Sequence, residues 1–310
     1  MKKLLLIILF GSLLFGGDFE EMKNRDEKNA FTKASTFYTK ACEDGEMPSC
    51  YNLGLMYENG DNTTPDDTKA ANLYAKVCDN GYVQACYSLG LMYENGKGLQ
   101  KDFSKAIELY TKACDKENAQ ACYHLASMYK NGQGTTQNRL KAIELYTKAC
   151  DGEEAESCLY LGVLHHKGEE LKQDYAKAVQ FFIKACDGGE MRGCANLGIA
   201  YANGLGVQQN DAKAIELYKK ACYYDDMLGC NNLGRMYSEG KGVKQDSFKA
   251  VEFYTKACHH GDATGCYNLG AAYYNGRGVK QDTKKAKQLF RKVCDANLTL
   301  ACETYQKITE

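Results

Sequence analysis

Small and apolar residues in this chain return at steps of four, inside a segment that itself returns every 36 residues. Asp66, Ala70, Tyr74 and Cys78 open the series, Asp102, Ala106, Tyr110 and Cys114 repeat it, and Asp282, Ala286, Phe290 and Cys294 close it. Steps of four place these positions on one helical face. The Asp or Asn that heads each segment is a side chain that accepts from the free N–H groups of a helix start. The pattern therefore predicts one helix per unit, called B, running from the acidic cap to the cysteine.

A second stripe fills the other half of each unit. Cys50, Leu53, Gly54 and Tyr57 stand at i, i+3, i+4 and i+7, and the set recurs as Cys86, Leu89, Gly90 and Tyr93 and onward. This predicts a helix A, ended in every full copy by a glycine from Gly60 to Gly276, the residue suited to a left-handed C-terminal cap. Glycine inside a helix costs about 1 kcal/mol against alanine. Its return at 54, 90, 162, 198, 234 and 270 implies close helix–helix contact at that position. Two antiparallel helices cannot bury their faces alone, but stacked pairs can. The expected fold class is all-α: an α/α-hairpin repeat solenoid, a right-handed superhelix with a concave groove. Seven full A–B pairs are expected, with a partial unit at each end, in a single domain over 18–310.

All 16 cysteines lie on the same 36-residue grid. Two pairings are geometrically open. One joins Cys42 to Cys50 across the turn from B into the next A, and the other joins Cys50 to Cys78 at the open end of a hairpin. The second leaves Cys42 and Cys302 over. The first uses every cysteine and is the expectation: Cys42–Cys50, Cys78–Cys86, Cys114–Cys122, Cys150–Cys158, Cys186–Cys194, Cys222–Cys230, Cys258–Cys266 and Cys294–Cys302. Structural zinc prefers shorter C-x2-4-C spacing, so no metal is expected, and no motif implies a cofactor.

Residues 1–17 begin with Lys2 and Lys3, continue through an apolar run from Leu4 to Phe15, and close with Gly16 and Gly17. This is the layout of a secretory signal peptide, and the run is short for a membrane span of about 20 residues. An exported chain, secreted or periplasmic, with ordered cysteines reads as disulfide-bonded. Removing Lys2 and Lys3 with the leader takes the formal charge from -1 to -3. With no basic block, a nucleic-acid partner has no electrostatic footprint, and no membrane span follows the leader.

The recurring A-C-Y-x-L-G-x-M-Y-x-N-G, followed by G-V-x-Q-D-x-x-K-A-x-E-x-Y-x-K-A-C, resembles the sel-one-like repeat, which implies that the solenoid is tetratricopeptide-related. Residues 241–258 carry the second half closely. With one C-x7-C per unit behind a leader, the chain is similar to the Helicobacter cysteine-rich protein family over residues 30–310. The fourth copy departs, with His165 and His166 for Met-Tyr and Glu170 for the second loop glycine. The family resemblance implies β-lactam binding with weak β-lactamase activity, and exposure to cell-wall peptides and host proteins. The generic repeat implies a scaffold for protein or peptide ligands.

For the scaffold, the candidate groove residues are the amides of the row headed by Asn52: Asn196, Asn232 and Asn268, with Ser88, His124 and Tyr160 between. Each asparagine offers a donor and an acceptor, suited to an extended peptide backbone. The lysines at 69 and 76 and their repeats are expected on a solvated outer face, with stems packed on the aromatic row. For the enzyme, Ser127-x-x-Lys130 and Ser238-x-x-Lys241 match S-x-x-K, but S-D-N and K-T-G are absent, and serine β-lactam chemistry uses all three motifs. The five histidines, His124, His165, His166, His259 and His260, do not form the i, i+4 pair of a helix-borne zinc site. The sequence supplies no catalytic constellation.

Overall fold

The computed structural model describes residues 32–60, 65–295 and 299–308; the leader expected over 1–17 lies outside them. The described residues form helices joined by turns, with no strand. The A helices are Met47–Asn59, Val83–Asn95, Ala119–Asn131, Ala155–Lys167, Met191–Asn203, Met227–Glu239, Ala263–Asn275 and the shorter Thr299–Lys307. The B helices are 32–43, Asp67–Asp79, Phe103–Cys114, Arg139–Asp151, Tyr175–Asp187, Asp211–Tyr223, Ser247–His259 and Thr283–Asp295. They gather into two compact units, one ending at Leu145 and the other beginning at Tyr146, inside the helix Arg139–Asp151. Each unit is a stack of A–B hairpins, the local architecture of an all-α repeat solenoid.

The B helices start where the acidic series places them. Asp66 Oδ1 accepts from Lys69 N at 2.9 Å and Asn210 Oδ1 from Lys213 N at 3.0 Å, satisfying N–H groups that the helix cannot. The A helices stop at glycine in the left-handed conformation. At Gly96 φ is 71°, and its N–H bonds back to the Met92 carbonyl. The eight disulfides take the B-to-A register, with Cα–Cα distances from 4.4 Å at Cys258–Cys266 to 4.8 Å at Cys150–Cys158. Each one ties the last turn of a B helix to the first turn of the next A helix.

The glycine inside helix A answers to a ring rather than to a neighbouring backbone. A Cβ on Gly90 would lie 2.6 Å from Tyr110 Cε1, and one on Gly198 would lie 2.6 Å from Tyr218 Cε1. Both tyrosines are fully buried. The B-helix aromatic thus packs against its own A helix, and in these copies hydrogen leaves room for it where a Cβ would not.

The first lysine row is solvent-exposed, as expected, and so is most of the second, but each row also finds a specific partner. The first row stands over the A-helix tyrosines: Lys69 Nζ is 5.1 Å from the Tyr57 ring centre and Lys285 Nζ is 4.7 Å from that of Tyr273. This is cation–π geometry. The second row reaches back to the preceding B helix. Lys112 Nζ donates to the Cys78 carbonyl at 3.0 Å, and Lys256 Nζ donates to that of Cys222 at 2.7 Å. These carbonyls already accept from Gly81 N and Asp225 N in the turn that follows, but they keep a second lone pair and lie at the negative end of the helix dipole, so a cation is drawn there. In the second unit Lys184 takes Asp151 at 3.0 Å instead. Lys256→Met keeps the stem and removes the charge. It should lower stability by about 0.5 kcal/mol, read as a shift in the urea midpoint; an unchanged midpoint would show the clasp to be decorative.

Candidate functional site: the polar face of the A helices

Successive A helices within a unit are linked along one face. The residue one position before the asparagine row reaches the asparagine-row residue of the next repeat. In the first unit Tyr51 Oη lies 3.4 Å from Ser88 Oγ, and Tyr87 Oη lies 3.4 Å from His124 Nε2. In the second unit Asn268 Nδ2 donates to Asn231 Oδ1 at 2.8 Å, and Tyr267 Oη lies 3.4 Å from Thr304 Oγ1.

The sequence-predicted amides lie on this face at different depths, and Asn232 and Asn268 have part of their capacity engaged. Asn52 and Asn196 are half-buried. Asn232 is buried and donates to the Leu228 carbonyl of its own helix at 2.8 Å. Asn232 and Asn268 stand on adjacent A helices, joined through Asn231 as the intermediary. Asn231 was missed by pattern reading, because only knowledge of which helices are neighbours pairs it with position 268.

A second set of groups gathers where B-helix tyrosines emerge on the A face. Tyr74 donates to Glu58 Oε2 at 2.8 Å and Tyr110 to Glu94 Oε2 at 2.6 Å. His124 stacks on Tyr110, ring centres 5.3 Å apart, with Nδ1 3.3 Å from Glu94 Oε2. The hydrogen bond from His124, supported by that from Tyr110, holds the Glu94 carboxyl below the usual carboxylate range against the opposing effect of burial. Burial pushes the Tyr110 phenol well above its ordinary range, and the adjacent Glu94 adds to it. Burial likewise pushes Tyr218 up to about 12. These phenols are hydrogen-bond donors at neutral pH, not bases.

The residues considered for chemistry remain apart. Ser127 lies in the middle of helix Ala119–Asn131, where its Oγ accepts from Asn131 Nδ2 at 3.3 Å. Ser238 lies in the last turn of Met227–Glu239, and Lys241 Nζ pairs with Glu239 Oε2 at 2.9 Å. His165 stacks on Phe181 with ring centres 5.6 Å apart, and His166 lies edge-on to Tyr175. Among the described residues no three His, Cys, Asp or Glu side chains are grouped to hold a metal, and no helix is long and apolar enough to cross a membrane.

Stacked helix hairpins, linked within each unit along a polar face of their A helices, define a repeat scaffold of the kind that presents an extended surface to protein ligands. The Sel1 repeat pattern matches residues 48–82, 83–118, 119–153, 155–190, 192–223, 228–262 and 263–298, so the chain belongs to the Sel1 repeat family. Its structure is similar to c5321, a protective antigen present in uropathogenic Escherichia coli strains and displaying an SLR fold: TM-score 0.80, 26% identity, 88% of this chain and 59% of that one. This chain thus spans about three fifths of that relative. A Sel1 repeat protein from Oxalobacter formigenes shares the fold at TM-score 0.70 and 22% identity, over 79% of this chain and 96% of that one. Helicobacter pylori cysteine rich protein B is 37% identical, over 44% of this chain and 98% of that one, with a TM-score of 0.36. No curated protein sequence matches the chain.

Proposed function

We propose that this protein is an exported scaffold that holds extended protein or peptide segments in a groove lined by its A helices. The observation that carries the reading is the run of amides on consecutive A helices of the second unit. Asn196, Asn232 and Asn268 recur one repeat apart on a face that the fold leaves polar. Each engaged amide nitrogen carries a second N–H, and each carbonyl a second lone pair, for a peptide backbone. The eight disulfides fit an oxidising compartment, since such bonds are rare where cellular thiols are kept reduced. The β-lactam alternative gains no support from the serines, because Lys241 is held by Glu239.

The test is selection of displayed random peptides on the oxidised protein, followed by affinity measurement against Asn196→Ala/Asn232→Ala/Asn268→Ala. The expected result is a family of peptides whose binding falls about tenfold or more, as the loss of one or more net hydrogen bonds requires, with helical circular dichroism retained. Equal capture by the variant would remove the amide row from the function.

A further inference from the structure

The loop after an A helix reaches back onto the preceding repeat, and its first side chain varies from copy to copy: Lys97, Gln133, Glu169, Leu205, Lys241 and Arg277. In the second copy this residue is Lys97. Its Nζ lies 3.2 Å from Glu58 Oε1 and 3.4 Å from Asp67 Oδ1. The cation is neutralised by two carboxylates, one 39 residues and one 30 residues earlier. In the seventh copy the same position is Arg277, and the residues at those offsets are Ser238 and Ser247. Both carboxylates are replaced by hydroxyls, and Arg277 makes no ion pair among the described residues. Arg277, Ser238, Ser247, Tyr254, Asn268 and Asn275 line one cleft of about 110 Å³.

The surroundings of the cleft favour a negative charge. Gly278, at φ 71°, packs against the Ser247 carbonyl so closely that a Cβ would overlap it, which fixes the loop over the start of helix Ser247–His259. The nearby acids are already engaged: Asp246 Oδ1 accepts from Phe248 N and Lys249 N at 3.1 and 3.0 Å, and Glu239 pairs with Lys241. Two opposite charges act on Tyr254 from the preceding A helix, the carboxylate of Glu239 and, less strongly, the guanidinium of Arg235, one helical turn before Ser238. Burial keeps the Tyr254 phenol protonated, above its ordinary range, so it can donate. Asn268 and Asn275 each use one amide N–H internally and retain the other.

We propose that this cleft binds a carboxylate supplied from outside, taking the place that Glu58 and Asp67 fill beside Lys97. The guanidinium fork suits the two oxygens of a carboxylate, with hydroxyl and amide donors around it. The inference deepens the peptide-binding reading by naming a chemical group, the free carboxylate at the end of a held segment, and depends on that reading only for the source of the group.

The probe is N-acetylglycine, titrated into the oxidised, 15N-labelled full chain, with N-acetylglycinamide as the uncharged control. Saturable shifts of the Arg277 Nε–Hε and Asn268 side-chain resonances are expected with the acid and not with the amide. Arg277→Gln should weaken binding about tenfold or more, the size of a lost charge-assisted hydrogen bond. Ser238→Glu gives Arg277 the internal partner that Glu58 gives Lys97. It should abolish binding while helical circular dichroism is retained. No shift at Arg277, or equal affinity in Arg277→Gln, overturns the site. Selected peptides that need the asparagine row but bind Arg277→Gln equally overturn this inference and leave the scaffold standing. Acetylglycine binding without any peptide capture supports the site and overturns the scaffold.

Discussion

Replacing Cys186 and Cys194 together by alanine is expected to lower the stability of the oxidised protein by about 2.5 kcal/mol. A bridge between residues eight apart closes a small loop, and the chain-entropy treatment gives about that figure for a loop of this size. Loss of the buried sulfurs adds a packing cost, since Cys194 is fully enclosed and Cys186 nearly so. Comparison with the wild type under reducing conditions separates the two contributions, because thiols keep most of the volume and lose only the link. The check is urea unfolding followed by circular dichroism, oxidised and reduced. Oxidised double variant and oxidised wild type with the same midpoint would show that the bridges follow from the fold rather than hold it. Eight such links of about 2.5 kcal/mol each make the oxidation state the largest single control on this molecule's stability.

Gly90→Leu is expected to cost about 3 kcal/mol, at the upper end of overpacking in a filled interior. Helix propensity argues the other way, since leucine exceeds glycine by almost 1 kcal/mol in a helix. The outcome therefore decides which effect governs the glycine row. The ring in the way cannot swing aside, because Tyr110 is fully enclosed and its hydroxyl is bonded to Glu94 at 2.6 Å. Gly90→Ala should cost less, as the alanine at 126 in the third copy implies. A second reading comes from titration of the phenol, which should move down toward its ordinary range in Gly90→Leu as burial and the Glu94 bond are lost. A leucine variant as stable as the wild type would sink the ring-contact account.

What could be read from the letters was what recurs within one unit. The Asp66 series gave the B caps, Gly60 to Gly276 gave the A ends, and the cysteine grid gave the pairing. These are local relations, and a helix reports its faces at steps of three and four. The glycine row was legible as a close approach, but the approaching group was not, because nothing local says that a B-helix ring packs against its own A helix. What the tips of Lys76 and its repeats reach was hidden for a related reason. Their partner is a backbone carbonyl 34 residues earlier, and carbonyls have no letter in the sequence. The face carrying Asn231 and Asn268 is written at an offset of 37, invisible until neighbouring A helices are known. Arg277 stood out only once Lys97 showed what such a cation normally meets.

The backward reach of the lysines has an implication for how such a chain can change length. Lys220 and Lys256 each grip the repeat immediately before their own, and the links along the A face likewise connect adjacent repeats. No described bond within the second unit needs a distant repeat to be present. Loss of one 36-residue period from that unit would bring an equivalent carbonyl under the next lysine and an equivalent cysteine beside its mate. Unequal recombination between repeated stretches of the gene could thus shorten or lengthen the protein in whole steps, with the disulfide and lysine seams already fitted and only side-chain links such as Asn268 to Asn231 lost, since Ala195 stands one repeat before Asn231.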